Sequence, residues 1–224
     1  LAKILTFRQQ ELSNTLWAFA KLSWMHETLI HALATAAMAS RQPMGPQDMS
    51  NTAWALAKMA FCDRPLISAI AAQALRRITA FNSQDLGNTV WALASLALRN
   101  EQLLEAIANK AVARNQEASA QDLGNTAWAF AVLDCMHMPL MHSISSASIR
   151  RITSLQPQNL TNIAWAFATM SLQDAPLLNV ISAEFMRRIG ECNSQNLSNT
   201  LWAVATLSLS DQPLILAISS QALQ

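Results

Sequence analysis

QELSNTLWAFAKL, residues 10–22, is written six times over in this chain of 224 residues. It returns as QDMSNTAWALAKM from Gln47, QDLGNTVWALASL from Gln84, QDLGNTAWAFAVL from Gln121, QNLTNIAWAFATM from Gln158 and QNLSNTLWAVATL from Gln195. The phrase places Trp17, Trp54, Trp91, Trp128, Trp165 and Trp202 at a constant spacing of 37 residues. Self-similarity at a period long enough for two helices is the signature of a solenoid, in which each unit buries its apolar face only by stacking on the next. The expected fold is therefore all-α, an α-solenoid of about six 37-residue helix-turn-helix repeats.

Numbered from its Gln, the repeat gives units 10–46, 47–83, 84–120, 121–157 and 158–194, a partial unit 195–224, and residues 1–9 as the end of a preceding one. LAKILTFRQQEL at Leu1 aligns without a gap to LRRITAFNSQDL at Leu75, so the expectation is one array over 1–224, cut from a longer one. Positions 1 to 14 read as a first helix free of proline and rich in Ala, Leu and Trp. Ser83 and Ser194 are expected N-caps, with Glu11, Asp48, Asp85 and Asp122 in the first turn, where a carboxylate suits the helix dipole. Pro65, Pro139, Pro176 and Pro213 all fall at position 19, where proline ends one helix and opens the next. Leu66, Ile67, Ile70, Ala74 and Ile78 then mark the apolar face of a second helix.

At 100° per residue, positions 3, 7, 10 and 14 of the first helix share the buried face. Positions 1, 5, 8 and 12 form the opposite stripe: Gln, Asn, Trp and a variable residue. Position 4 is only Ser, Gly or Thr and position 11 only Ala, small enough for a neighbouring helix to come close. Gly87 and Gly124 each cost a helix about 1 kcal/mol, for which such close approach is the expected reason.

Four features bear on function. The Asn column (Asn14, Asn51, Asn88, Asn125, Asn162, Asn199) sets one amide per repeat on the stripe, able to pair with a base edge or to form an amide ladder between repeats. Because this Asn is the same in every repeat, base discrimination falls to position 12: Lys21, Lys58, Ser95, Val132, Thr169 and Thr206. The Trp column is expected to pack on the small residues of the next repeat, stacking on bases being the alternative. Position 31 carries Lys3, Arg77, Arg114, Arg151 and Arg188, one cation per repeat, as tracking a phosphate backbone requires. Pairing with the acid at position 2 of the next repeat, or with the helix dipole, competes with that role. Arg151 and Arg188 are followed by Asn159 and Asn196 at that position, so positive charge is expected to stay uncompensated there.

A formal net charge of +1 rules out a uniformly basic polymer binder, so charge placement matters more than its sum. Three scattered cysteines fit a reducing compartment better than a disulfide scaffold. His26 and His31, like His137 and His142, are five apart, which misses the spacing that sets two imidazoles on one helix face. They read as solvated side chains, and no active site, metal site or cofactor is expected.

The phrase Gln-Asp-Leu-x-Asn-Thr-x-Trp-Ala-x-Ala at this period resembles the heptatricopeptide and octotricopeptide repeats of organellar RNA-binding proteins. It is also similar to the repeat region of proteins with a FAST-kinase-like region and a RAP domain, and to that of the trypanosomal RNA-editing substrate-binding complex. The resemblance implies a non-catalytic scaffold in a mitochondrion or plastid that binds single-stranded RNA, with protein partners in a ribonucleoprotein, and aids RNA processing, stability or translation. One repeat addressing one nucleotide gives about six nucleotides for the six units. The alternative is an interaction solenoid of the armadillo or HEAT kind that takes an extended peptide.

Overall fold

Residues 3–40 and 42–223 are described by a computed structural model; Leu1, Ala2, Arg41 and Gln224, which include both ends of the repeat register, lie outside them. Among the described residues there are twelve α-helices and no strand: α1 (Gln9–Lys21), α2 (Glu27–Ala39), α3 (Pro46–Lys58), α4 (Arg64–Arg77), α5 (Ser83–Ser95), α6 (Glu101–Ala113), α7 (Ala120–Val132), α8 (Met138–Arg150), α9 (Pro157–Thr169), α10 (Ala175–Arg187), α11 (Ser194–Thr206) and α12 (Gln212–Ala222). Odd-numbered helices carry the Trp phrase and even-numbered ones follow it, so the chain is the α-solenoid of helix pairs that its period implies. No helix among the described residues is long and apolar enough to cross a membrane.

The chain divides into two compact units, residues 1–111 and 112–224. In the first, α1, α3 and α5 pack side by side in one layer and α2 and α4 lie in a second; in the other, α7, α9 and α11 form the first layer and α8, α10 and α12 the second. First-layer helices pack on one another more intimately than second-layer ones. Small residues make that possible: Ser13, Ser50, Gly87, Gly124 and Thr161 at position 4 are all buried. A Cβ on Gly124 would lie 3.3 Å from the Asn159 Cα, so the close approach expected there is real. Leu12, Met49, Leu86, Leu123, Leu160 and Leu197 at position 3 are buried as expected, and Phe130 and Phe167 at position 10 are the bulkiest side chains of the face in unit 2.

Each first helix starts one residue before the repeat's Gln, and this corrects two expected caps. Ser83 and Ser194 are the first helical residues, and Asn82 and Asn193 before them are the caps. The Asn82 Oδ1 accepts from the Asp85 N–H at 2.8 Å while the Asn82 N–H donates to Asp85 Oδ2 at 3.2 Å, a reciprocal capping box. The position 2 side chain plays that part along the array: Glu11, Asp48, Asp122, Asn159 and Asn196 accept from the N–H groups of Arg8, Gly45, Ser119, Gln156 and Asn193.

The first helix also ends sooner than expected, at position 12. Position 14 is not on the buried face: Ser23, Ala60, Ala97, Asp134, Ser171 and Ser208 are exposed and left-handed, with φ between 49° and 55°. The next N–H then turns back to the helix, as Phe61 does to Leu56 O at 2.9 Å and Leu172 to Phe167 O at 2.8 Å, a Schellman closure made without glycine. Prolines 65, 139, 176 and 213 open the second helices as expected. His26 and His137 are N-caps rather than merely solvated side chains, their Nδ1 accepting from Leu29 N at 3.3 Å and Leu140 N at 3.1 Å.

Candidate nucleic-acid interface

Because the first helices lie side by side, positions 1, 5, 8 and 12 align into a stripe along the outer side of the first layer in each unit. The six glutamines of position 1 are exposed, as are Lys21, Lys58, Ser95, Val132, Thr169 and Thr206 at position 12. Asn14 is exposed, and Asn51, Asn88, Asn125, Asn162 and Asn199 are half-buried. No amide ladder joins them among the described residues. Asn162 accepts from Gln158 Nε2 at 2.8 Å on its own helix, and the other five side chains have no protein partner among the described residues. An amide unmet by protein but reachable by solvent keeps its donors and acceptor for a ligand.

The tryptophans of the column are only partly covered. Trp17 and Trp202 are 41% and 45% exposed and the other four are half-buried, so none is a core residue. Neighbouring rings meet: Trp54 and Trp91 have ring centroids 6.2 Å apart at 34°, Trp165 and Trp202 5.9 Å apart at 30°. Such tilted pairs contribute about 0.5–1.5 kcal/mol beyond the area they cover. The Lys21 ammonium lies 5.4 Å from the rings of both Trp17 and Trp54, a cation held between two π-faces. The periodicity places the indoles on the stripe; that neighbouring indoles meet depends on the spacing between helices, which a single repeat does not display.

The arginines of the position 31 column already have partners within the protein. Arg77, Arg151 and Arg188 clamp backbone carbonyls, each reaching the loop that leads into the preceding first helix. Arg77 Nη1 donates to Met44 O at 2.6 Å and Arg188 Nη1 to Leu155 O at 2.6 Å. Arg151 donates to Ala118 O, to Gln116 O at 2.5 Å and to Asn115 O at 3.2 Å. Nor is charge left uncompensated at Arg188, whose side chain is 11% exposed and meets Glu191 at 2.5 Å. Its hydrogen bond holds the Glu191 carboxyl below the ordinary carboxylate value, and the pairing raises Arg188 in turn. Arg114 pairs with Glu117 at 2.9 Å. The acid at position 2 is not the partner of this column, because its oxygens cap its own helix. Of the five residues in the column Lys3 and Arg77 are exposed without an ion pair among the described residues, and Arg77 is held by the Met44 carbonyl.

One further arrangement, invisible in any single repeat, links neighbours. Asp48 Oδ1 accepts from Ser13 Oγ at 2.9 Å and Asp85 Oδ1 from Ser50 Oγ at 2.9 Å, while the second oxygen of each serves its own capping box. Unit 2 repeats the device in its second layer: Asp174 and Asp211 cap α10 and α12 and accept from Ser145 Oγ at 2.6 Å and Ser182 Oγ at 2.5 Å.

A family model described as RNA-editing substrate-binding complex 6 protein matches residues 62–175, just over half of the chain and the part that holds three full Trp phrases. No curated protein matches it.

Proposed function

The chain belongs to the RNA-editing substrate-binding complex 6 protein family, and from that premise we propose that it is a non-catalytic scaffold that holds single-stranded RNA on the first-helix stripe. The observation that carries this reading is the row of solvent-reachable Asn amides, one per repeat, of which all but Asn162 have no protein partner among the described residues. Two donors and an acceptor on each can pair with a base edge by two hydrogen bonds. The residues in this role are Asn14, Asn51, Asn88, Asn125, Asn162 and Asn199, with Ser95, Val132, Thr169 and Thr206 at position 12 setting preference between bases. Alignment on a stripe at one residue per helix pair supports a one-repeat, one-nucleotide register. Protein partners belong to the same reading, because the family is named for a complex. The organelle we assign is the mitochondrion, for which the family speaks, rather than the plastid.

Fluorescence anisotropy of labelled single-stranded RNA tests the proposal at two salt concentrations. Binding that weakens steeply with salt is expected, with Asn51→Ala and Asn88→Ala each costing roughly fivefold, about 1 kcal/mol, at unchanged melting temperature. Absence of binding at low salt refutes the RNA reading and leaves the extended-peptide solenoid in its place.

A further inference from the structure

Charge along the proposed stripe is uneven. Residues 1–111 carry ten Lys and Arg against seven Asp and Glu, a formal +3, and residues 112–224 carry five against seven, a formal −2. The structure sharpens the contrast. In unit 2, Arg114, Arg187 and Arg188 are paired with Glu117, Glu184 and Glu191, Arg151 is spent on three carbonyls, and Arg150 alone is exposed without an ion pair among the described residues. In unit 1, Lys21 and Lys58 are exposed at position 12, on the same stripe as the amides, with no carboxylate partner among the described residues. The matching side chains in unit 2, Val132, Thr169 and Thr206, are neutral.

Resting on the RNA reading above, we infer that the backbone of the bound strand is gripped by unit 1, at Lys21 and Lys58, and that the stripe of unit 2 makes no phosphate contact. Lys21 suits the task in a way an isolated surface lysine does not. Its ammonium lies between the Trp17 and Trp54 rings, so part of the cost of ordering a long side chain is already met before a phosphate arrives. The flanking indoles offer an apolar edge to the sugar or base of the same nucleotide. The competing role of both lysines is structural, since each closes a first helix where a cation meets the negative end of the dipole. That role shows in the melting temperature and not in a salt slope.

The test is anisotropy of a labelled, mixed-sequence single-stranded RNA over a salt series with the whole chain, beside circular dichroism melts. The double variant Lys21→Gln/Lys58→Gln is expected to bind roughly tenfold more weakly at low salt, and the slope of log K against log salt is expected to shrink by about 1.4, at 0.7 per phosphate contact. Arg150→Gln, which removes the exposed cation of unit 2 that has no ion pair among the described residues, is expected to leave affinity within about twofold and the salt slope unchanged. An unchanged slope in the lysine variant, or equal weakening by Arg150→Gln, overturns the inference while the RNA reading stands. If the unaltered chain binds no RNA at low salt, both fall together.

Discussion

Arg151 shows how a residue type can suggest one partner and find another. A guanidinium has five donors in a planar fork, and three backbone carbonyls of one loop, Asn115, Gln116 and Ala118, take them up. Replacing it by Ala strands those acceptors at a half-buried site, so Arg151→Ala is expected to cost about 2 kcal/mol in chemical denaturation. Arg151→Lys keeps the charge without the fork and recovers only part of the loss. RNA affinity is expected to be unchanged in both; weaker binding at undiminished stability would return the residue to phosphate contact. The spacing of the arginines is plain in the sequence, and their acceptors are not, because main-chain carbonyls leave no mark in the order of side chains. The amides and the position 12 residues were legible as an open stripe for the opposite reason: helical periodicity fixes which way they point.

At the scale of the element, the corner after each first helix is the informative place. Six residues take the left-handed conformation there and none is glycine, although that conformation costs an L-residue about 1–2 kcal/mol. Ala60→Gly and Ala97→Gly are therefore expected to raise stability by about 0.5–1 kcal/mol each, after allowing for the freedom glycine adds to the unfolded chain. Ala57→Gly, inside α3, is the control and is expected to lose about 1 kcal/mol or more in the same melt. Reading position 14 into the helix followed from a period that holds up to position 12 and from the lack of the glycine that normally announces such a corner. The N-cap was displaced by one residue for a similar reason: Asn-Ser offers two good caps in a row, and only the backbone angle of Asn82 decides between them. Helix pairs, proline starts and the buried positions 3, 7 and 10, where only Leu201 is exposed and Phe19 half-buried among the described residues, needed no such detail, since each is repeated often enough for pattern alone to place it.

Across the molecule, acid response follows from three glutamates. A main-chain hydrogen bond from Arg8 holds Glu11 below the ordinary 4.5, and side-chain bonds from Arg187 and Arg188 do the same for Glu184 and Glu191. Carboxyls lowered in the folded chain contribute stability that is fully present above about pH 4.5 and is lost as pH falls through their folded values. Melting temperature is expected to decline below that point, and less steeply in Glu184→Gln, as calorimetry over a pH series would record. Stability of this kind is local, yet the shared carboxylates spread it. Asp48 and Asp174 each begin a helix and at the same time take a hydroxyl from the repeat before, 35 and 29 residues upstream. Such bonds measure chain length as a ruler does. A single residue gained or lost between the partners throws donor and acceptor out of step, whereas a whole 37-residue unit added or removed leaves every ruler intact. Duplication of complete units is thus the mode of growth that this architecture tolerates, and small insertions between the partners are the edits it rejects.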